Sequence, residues 1–182
     1  MTVELVLGGA RSGKSRYALQ HAHTSAAVTW IATAQAFDPE MQQRIAQHQA
    51  ERPTHWQTLE VPFRLSQVLA ERSEPLVVID CLTLWLSNWL CQDQSSISAV
   101  HADWLAERTR FLQQLERIQQ SSQRLILVSN EVGFGIVPDN PLARRFRDEA
   151  GRLHQMIAAV VGQVTLVVAG LPMSIKPATQ GS

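Results

Sequence analysis

One short stretch near the amino terminus constrains this chain more than any other. Gly8 is followed by four residues and then by Gly13, Lys14 and Ser15, and a mostly apolar run over 3–7 precedes it. Glycines let a backbone fold its N–H groups around a phosphate, and the N-terminus of a following helix adds a favourable dipole. The stretch therefore predicts a strand, a phosphate-binding loop and a helix, and with them a nucleotide-binding protein.

Two side chains of this loop are suited to phosphate chemistry. Lys14 supplies a mobile cation for the outer phosphates, and the Ser15 hydroxyl is placed to bind Mg²⁺. The alternative is a glycine-rich turn with a surface lysine, but the spacing and both flanks favour the nucleotide site. The loop residues expected to contact nucleotide are Gly8, Gly9, Ala10, Arg11, Ser12, Gly13, Lys14 and Ser15.

Length and composition fit one globular domain over 1–182. Hydrophobic residues make up 45% of the chain and charged residues 18%, as expected for a full hydrophobic core. The 16 basic and 16 acidic residues cancel, so we expect no nucleic-acid partner. The apolar run from Cys81 to Cys91 is too short to span a bilayer, and no signal-peptide pattern is present. We predict a cytoplasmic protein whose two cysteines are buried free thiols.

Apolar and amphipathic segments alternate along the chain. Strands are predicted over 3–7, 28–32, 56–61, 76–80, 125–129 and 164–169, and helices over 14–23, 39–51, 62–70, 100–120 and 142–161. Asp38 and Pro39 form the start signal of the second helix. We expect loops over 92–98 and 130–141 and a short tail after the last strand. The alternation predicts the α/β class, with a mostly parallel sheet and helices on both faces.

Carboxylates follow two of the predicted buried strands. Asp80 ends a strand roughly 65 residues after the phosphate loop, where a protein of this kind places its Mg²⁺ ligand. An acidic cap for the next helix is the other role, and the two can coexist. Glu131 follows the strand over 125–129, at the expected ligand crevice. It is either a base or a holder of metal-bound water, or else a solvated side chain in a glycine-rich turn.

A histidine lies on the helix after the second strand. Helical spacing places His48 on one face with Arg44, Ile45 and Met41. A histidine on an apolar face usually packs in the core. A neutral imidazole beside a triphosphate can instead attack the α-phosphorus and form a covalent nucleotidyl intermediate, with Arg44 balancing the phosphate charge. Spacing alone leaves both interpretations open.

Three arginines and two tryptophans complete the candidates. Arg144, Arg145 and Arg147 form a basic cluster that either contacts phosphates or is a solvated helix face. Trp85 and Trp89 are expected in the core or in a subunit interface, and the alternative is a flat hydrophobic wall against a large ligand. The remaining histidines have no metal-ligand spacing and are assigned no role.

Several stretches, in order along the chain, carry a family resemblance. They are 8–15, 31–34, Arg44-Ile45 with His48, Arg52-Pro53 with Trp56, 79–83, 129–133, 135–138, 142–144, 146–148, 151–152 and 167–170. The Asn-Glu-Val-Gly sequence at 130–133 and the Arg-Pro-x-x-Trp sequence at 52–56 are the most specific. On these residues, nearly the whole chain resembles the bifunctional adenosylcobinamide kinase/adenosylcobinamide-phosphate guanylyltransferase family of coenzyme B12 assembly.

The resemblance implies a RecA-like P-loop fold, a homotrimer with sites at its interfaces, and two reactions. The first phosphorylates the aminopropanol hydroxyl of adenosylcobinamide with ATP or GTP. The second transfers GMP from GTP to that phosphate and releases pyrophosphate. The resemblance also implies that His48 carries GMP covalently, which adds His48 to Lys14 and Glu131 as catalytic candidates. Mg²⁺ is expected at Ser15 and Asp80.

The nucleotide is expected to reach well beyond the phosphate loop. The further candidate contacts are Ala32, Thr33, Ala34, Arg44, His48, Gln49, Ala50, Glu51, Glu60 and Asp80. Two rival hypotheses remain for the whole chain. One is a P-loop kinase of another small molecule in which His48 is structural, and the other is a nucleotide-dependent binding protein.

Overall fold

The computed structural model describes residues 3–36, 39–50, 52–91 and 97–178. Within these residues, seven strands form a single sheet: β1 Val3–Gly8, β2 Val28–Ala32, β3 Gln57–Glu60, β4 Leu76–Asp80, β5 Arg124–Asn130, β6 Gln163–Val168 and β7 Leu171–Lys176. Their order is β3-β2-β4-β5-β1-β6-β7. Neighbouring strands are parallel except for β7, which is antiparallel to β6. The predicted α/β class with a mostly parallel sheet is confirmed.

Helices connect the parallel strands. In the described segments they are α1 Lys14–Ala22, α2 Pro39–Ala50, α3 Leu65–Ala70, α4 Leu82–Leu90, α5 Ile97–Gln119 and α6 Pro141–Val160. Residues 92–96, Asp38 and Glu51 lie outside the described residues, and with them the start signal of α2 and most of the loop predicted over 92–98.

Two apolar clusters lie on opposite faces of the sheet, because successive strand residues point to opposite faces. Leu5 and Leu127 belong to a cluster with residues of α3, α4, α5 and α6, whereas Val6 and Val128 pack with α1. In the first cluster, the Trp85 ring lies 5.0 Å from Trp104 and 4.9 Å from Phe111, centroid to centroid. Trp85 and Trp89 are both buried, as the core alternative expected.

The strand register brings four carboxyl ends together at one edge of the sheet. Gly8 of β1 is paired with Asn130 of β5, and Ala32 of β2 with Asp80 of β4. The phosphate loop, the segment after β2 and the loops after β4 and β5 therefore leave the sheet side by side. Ligands of open parallel sheets bind at this edge.

The tail predicted after the last parallel strand is wrong, because that segment forms β7. Val168 pairs with Leu171 across a turn in which Ala169 has a φ of 52° and Gly170 a φ of 80°. Two positive φ angles are the geometry of a tight hairpin turn. Ala-Gly is a weak turn signal, and Pro172 argues against a strand except at a sheet edge, which is where β7 lies.

The sequence predicted that the third helix begins at Pro62, but in the structure it begins at Leu65. The Pro62 carbonyl accepts a hydrogen bond from Asn88 Nδ2 at 2.9 Å, and the Phe63 carbonyl accepts from Trp85 Nε1 at 2.6 Å. These long-range hydrogen bonds occupy the carbonyls that a first helical turn would use.

Two other helix boundaries also differ from prediction. Helix α5 begins at Ile97, inside the predicted loop. Helix α6 begins at Pro141, and the Asn140 side chain caps it by accepting from two backbone N–H groups, the nearer at 2.7 Å. Asparagine before a proline at the first helical position is a strong start signal.

The cysteine prediction holds for one residue of the two. Cys81 is a buried free thiol, and burial raises its pKa to about 11. Cys91, at the end of α4, is free but exposed, so its predicted burial is wrong. Among the helices of the described residues, none combines the length and the hydropathy that a membrane span requires.

Candidate nucleotide-binding site

The loop between β1 and α1 is held by its own backbone and by the turn after β6. Ser12 N–H donates to the Gly9 carbonyl at 3.2 Å, and Gly170 N–H donates to the Ser12 carbonyl at 2.8 Å. Gly13 has a φ of 99°, and a Cβ there would lie 3.0 Å from the Gly170 Cα. A Cβ on Gly8 would lie 2.6 Å from a backbone carbonyl oxygen of β6. Backbone packing therefore demands glycine at both positions.

Lys14 lies within this loop, and its side chain is not on the surface. The residue is 7% exposed, and its ammonium donates to the Gly9 carbonyl at 2.8 Å. Burial lowers the pKa of Lys14, while the neighbouring Cys81 and Asp80 partly offset that shift. A cation that has lost most of its water interacts strongly with a phosphate. The geometry excludes the surface lysine of the alternative interpretation.

A cavity of about 410 Å³ opens in front of the phosphate loop. Predicted nucleotide contacts from three separate segments line it: Ala10, Arg11, Lys14, Ser15, Ala32, Ala34 and Asp80. The structure thus brings the phosphate loop, the end of β2 and the end of β4 around one space, as expected for the ligand crevice of a parallel sheet.

The same cavity has lining residues that the sequence analysis did not assign to nucleotide. They are Ile45, Arg52, Cys81, Leu84 and Asn130. The described lining holds three cationic side chains, those of Arg11, Lys14 and Arg52. Its one carboxylate is that of Asp80. This excess of positive charge suits a polyphosphate. The only sequence signal for Arg52 is its place in the Arg-Pro-x-x-Trp stretch.

Side-chain hydrogen bonds connect the strand ends around the cavity. Thr33 Oγ1 donates to the Cys81 carbonyl at 2.7 Å and accepts from Cys81 N–H at 2.9 Å. Asn130 Nδ2 donates to Thr83 Oγ1 at 3.0 Å. Thr33, predicted as a nucleotide contact, is fully buried. Its side chain is occupied in joining β2 to the start of α4.

Ser15 and Asp80 provide the oxygen atoms that a magnesium ion prefers. Both residues line the cavity. Among the described residues, no three His, Cys, Asp or Glu side chains form a metal-binding cluster. The protein offers one hydroxyl and one carboxylate here, and phosphate oxygens of a bound nucleotide would supply further ligands of the kind that Mg²⁺ prefers. The alternative role of Asp80 as a helix cap finds no support, because Cys81 occupies the N-cap position of α4.

Glu131 turns toward α6, and its side chain is not part of the described cavity lining. One carboxylate oxygen accepts from Gly133 N–H at 2.5 Å, and the other lies 3.8 Å from His154 Nδ1. His154 Nε2 is 2.7 Å from the Ser129 hydroxyl. Burial lowers the pKa of His154, and the Glu131 charge partly opposes the shift. His154 has no metal-ligand spacing in the sequence and was therefore assigned no role, and its contact with Glu131 and Ser129 arises from the packing of α6.

Helix α2 carries the proposed nucleophile. His48 and Arg44 belong to this helix, but their side chains lie outside the described part of the structure. Nearby, Gln49 Nε2 donates to Glu60 Oε1 at 3.4 Å, which connects α2 to the end of β3. Gln49, Ala50 and Glu60 are all exposed, and the roles assigned to them remain predictions.

The basic cluster at the start of α6 is largely occupied with local contacts. Arg144 Nη1 donates to the Pro138 and Asp139 carbonyls at 2.9 and 2.6 Å. Arg145 Nη2 lies 3.3 Å from His101 Nδ1. These contacts hold the 133–140 loop and α5 against α6, a role that neither of the two interpretations included.

Comparison with protein families gives a match along nearly the entire chain. Residues 4–175 match the model of the cobinamide kinase / cobinamide phosphate guanyltransferase family. The chain belongs to this family. Its relatives include the bifunctional adenosylcobalamin biosynthesis protein CobP of Pseudomonas aeruginosa, 50% identical over 95% of this chain and 96% of that protein. The corresponding Escherichia coli K12 protein, CobU, is 39% identical over 94% of this chain and 98% of its own length.

Solved structures support the fold assignment at low sequence identity. An ATPase from the type III secretion system of pathogenic bacteria superposes with a TM-score of 0.54 and 7% identity, over 95% of this chain and 56% of its own. A Pyrococcus horikoshii OT3 protein gives a TM-score of 0.51 and 9% identity, over 96% and 86% of the two chains. The chain therefore resembles this ATPase in fold.

Proposed function

We propose that this chain catalyses both reactions of its family at the cavity in front of the phosphate loop. In the first, the aminopropanol hydroxyl of adenosylcobinamide attacks the γ-phosphorus of ATP or GTP and gives up its proton, the bond from that phosphorus to the β–γ bridging oxygen breaks, and ADP or GDP leaves. In the second, GMP passes from GTP to the new phosphate and pyrophosphate leaves. The observation that carries the proposal is the cavity itself, which joins Lys14, Ser15 and Asp80 within a chain matched to this family from 4 to 175.

The phosphate loop serves the kinase reaction by positioning and by charge. Lys14 is held inside the loop and meets the phosphates with little water around it. Ser15 and Asp80 would hold Mg²⁺, which supplies charge stabilisation for the phosphate oxygens when bound. Phosphoryl transfer depends mainly on such positioning and electrostatic stabilisation. Glu131 stays a candidate base, although its carboxylate accepts from Gly133 N–H and lies near His154, outside the described cavity lining.

Guanylyl transfer is proposed to proceed in two displacements through His48. An imidazole nitrogen forms a bond to the α-phosphorus of GTP, and the bond to the pyrophosphate leaving group breaks. The phosphate oxygen of adenosylcobinamide phosphate then attacks the same phosphorus, and the bond to histidine breaks. Adenosylcobinamide-GDP results and His48 is regenerated. Such covalent catalysis replaces one difficult substitution with two easier ones.

The assembly and location complete the proposal. A homotrimer would bring further residues to the sites at its interfaces. A cytoplasmic location fits the use of ATP and GTP and the two free cysteines. Sedimentation of the purified protein tests the trimer directly.

The decisive experiment is covalent labelling with GTP that carries its label on the α-phosphate. The protein is incubated with label and Mg²⁺, denatured, and examined for retained label beside His48→Ala and the control His55→Ala, an exposed histidine. We expect acid-labile, base-stable label on the wild type and the control, and none on His48→Ala. Kinase activity should survive in part in His48→Ala. Absence of label from folded, GTP-binding wild type contradicts the proposal and favours a simple kinase.

A further inference from the structure

The loop between β5 and α6 presents large apolar side chains to solvent. Phe134, Ile136 and Val137 have exposed fractions of 85%, 96% and 58%. They lie in four successive residues, with Gly135 between the first two. Large apolar side chains that cluster on a surface mark a place where a ligand or a partner binds. We call residues 134–137 the apolar loop.

Both ends of the apolar loop are fixed by hydrogen bonds. On the amino-terminal side, Gly133 N–H donates to a Glu131 carboxylate oxygen at 2.5 Å. On the carboxyl-terminal side, Arg144 Nη1 donates to the carbonyls of Pro138 and Asp139 at 2.9 and 2.6 Å. A surface that is held in place before its ligand arrives loses less conformational freedom on binding. These anchors therefore prepare the apolar loop to receive a ligand.

The apolar loop lies at the same edge of the sheet as the nucleotide cavity. Glu131 N–H donates at 2.9 Å to the carbonyl of Gly8, the first residue of the phosphate loop. Asn130 is part of the cavity lining, and it precedes Phe134 by four positions. Four residues of chain span at most about 14 Å. The backbone of Phe134 is therefore within that distance of a residue of the cavity wall.

The proposed substrate is too large to share the cavity with a nucleotide. A cavity of about 410 Å³ has the size that suits one small-molecule ligand, and the nucleotide accounts for it. The aminopropanol arm of adenosylcobinamide brings its hydroxyl to the γ-phosphorus, so the corrin macrocycle stays outside, against the surface around the cavity mouth. This macrocycle is a broad ring edged with methyl and amide groups, without acidic or basic side groups. The uncharged side chains of the apolar loop match such a ring, whereas the cationic cavity lining matches phosphates.

We propose that the apolar loop is a docking surface for the corrin macrocycle of adenosylcobinamide, with Phe134 and Ile136 as its main contacts. The inference rests on the proposed function, because that function supplies the substrate. A second copy of this chain is the competing occupant. A stable subunit interface buries about 800 Å² on each partner, which is more than the three side chains of the loop expose. The available area therefore favours the substrate.

Equilibrium dialysis with adenosylcobinamide, followed by its visible absorbance, measures this contact in the wild type, Phe134→Ser and Ile136→Ser. Both side chains are exposed, so neither change disturbs the core. Ile175→Ser is the matched control, because Ile175 is apolar and 57% exposed but lies beside the start of β6, at the opposite edge of the sheet. We expect each loop variant to bind adenosylcobinamide about 10-fold more weakly, since one large apolar side chain is lost from the contact. The control should match the wild type.

Steady-state kinase assays separate corrinoid binding from nucleotide chemistry. Phe134→Ser should raise the KM for adenosylcobinamide about 10-fold and leave kcat unchanged, because a contact with the ring is equally strong in the ground state and the transition state. The KM for GTP and the covalent GMP label should keep their wild-type values, since the apolar loop is not part of the described cavity lining.

Three results would overturn the inference. One is equal affinity for adenosylcobinamide in the wild type, Phe134→Ser and Ile136→Ser, which leaves the proposed function intact. Another is weaker binding together with altered sedimentation of the loop variants, which would assign the loop to an interface between copies of the chain. A third is a wild type that neither binds nor phosphorylates adenosylcobinamide, in which case the proposed function itself fails.

Discussion

Replacing His154 with asparagine is expected to reduce the loss in the free energy of unfolding as the pH falls below the ordinary histidine pKa of 6.5. His154 is 7% exposed on α6, with Nε2 2.7 Å from the Ser129 hydroxyl and Nδ1 3.8 Å from a Glu131 carboxylate oxygen. Burial lowers the pKa of His154 below its ordinary 6.5, and Glu131 offsets only part of the shift. The folded chain therefore holds a neutral histidine at pH values where the unfolded chain takes up a proton.

The sign and the size of the effect follow from proton linkage. Between pH 6.5 and the lowered pKa, the unfolded state binds more protons, so stability falls as the pH falls through this window. A single histidine contributes at most about 1.4 kcal/mol per pH unit. When this slope is integrated from pH 6.5 to 5.5, the free energy of unfolding of the wild type falls by up to about 1 kcal/mol, and that of His154→Asn does not show this loss.

Urea unfolding between pH 5.5 and 7.5, followed by circular dichroism, measures this difference. Carboxylates contribute a common background, so the comparison is between the slopes of the wild type and of His154→Asn. His55→Asn serves as the matched control, because His55 is exposed, and its slope should equal that of the wild type. Parallel curves for the wild type and His154→Asn would show that burial does not keep this histidine neutral.

Two further substitutions test a residue expected to bind nucleotide, Lys14, and a residue expected only to stabilise the fold, Ser66. Lys14→Ala is expected to abolish nucleotide binding and both transfer activities, because Lys14 is the buried cation of the phosphate loop; GTP titration with normal affinity would refute this. Ser66→Ala removes the 2.7 Å hydrogen bond from its hydroxyl to the buried Glu107 carboxylate, which connects α3 to α5. It should lower the free energy of unfolding by about 1–3 kcal/mol in urea denaturation. Kinase activity at saturating substrate should be unchanged, and lost activity with full stability would contradict a structural role.

The parts of the fold that the sequence predicted well are those encoded locally. The Gly8–Ser15 spacing and the apolar runs of β2 and β4 act over a few residues, and the structure has β2 and β4 within the predicted bounds. The errors lie where distant contacts decide the outcome. Pro62 and Phe63 stay outside α3 because Asn88 and Trp85 bind their carbonyls.

The site was predicted only in part for the same reason. Lys14, Ser15 and Asp80 follow recognisable motifs, and the structure places all three on one cavity. Arg52 lines that cavity with its guanidinium in a cation–π contact with Trp30, which lies about 20 residues earlier in the chain. His154 meets Glu131 only because α6 packs across β5. No spacing rule connects such residues, since their proximity is a property of the sheet register.

The hydrogen bonds between the strand ends explain how those motifs become one site. Thr33 bonds to Cys81 in both directions, Thr83 accepts from Asn130, and Glu131 N–H donates to the Gly8 carbonyl at 2.9 Å. The ends of β2, β4, β5 and β1 are thus joined in spatial order, and each carries or precedes a group of the cavity. Phosphoryl transfer gains its rate mainly from positioning, which a shift of about 1 Å can spoil. A buried polar network with its partners satisfied holds one geometry, and the buried side chains of Thr33 and Thr83 therefore help to fix the strand ends that carry the groups of the cavity.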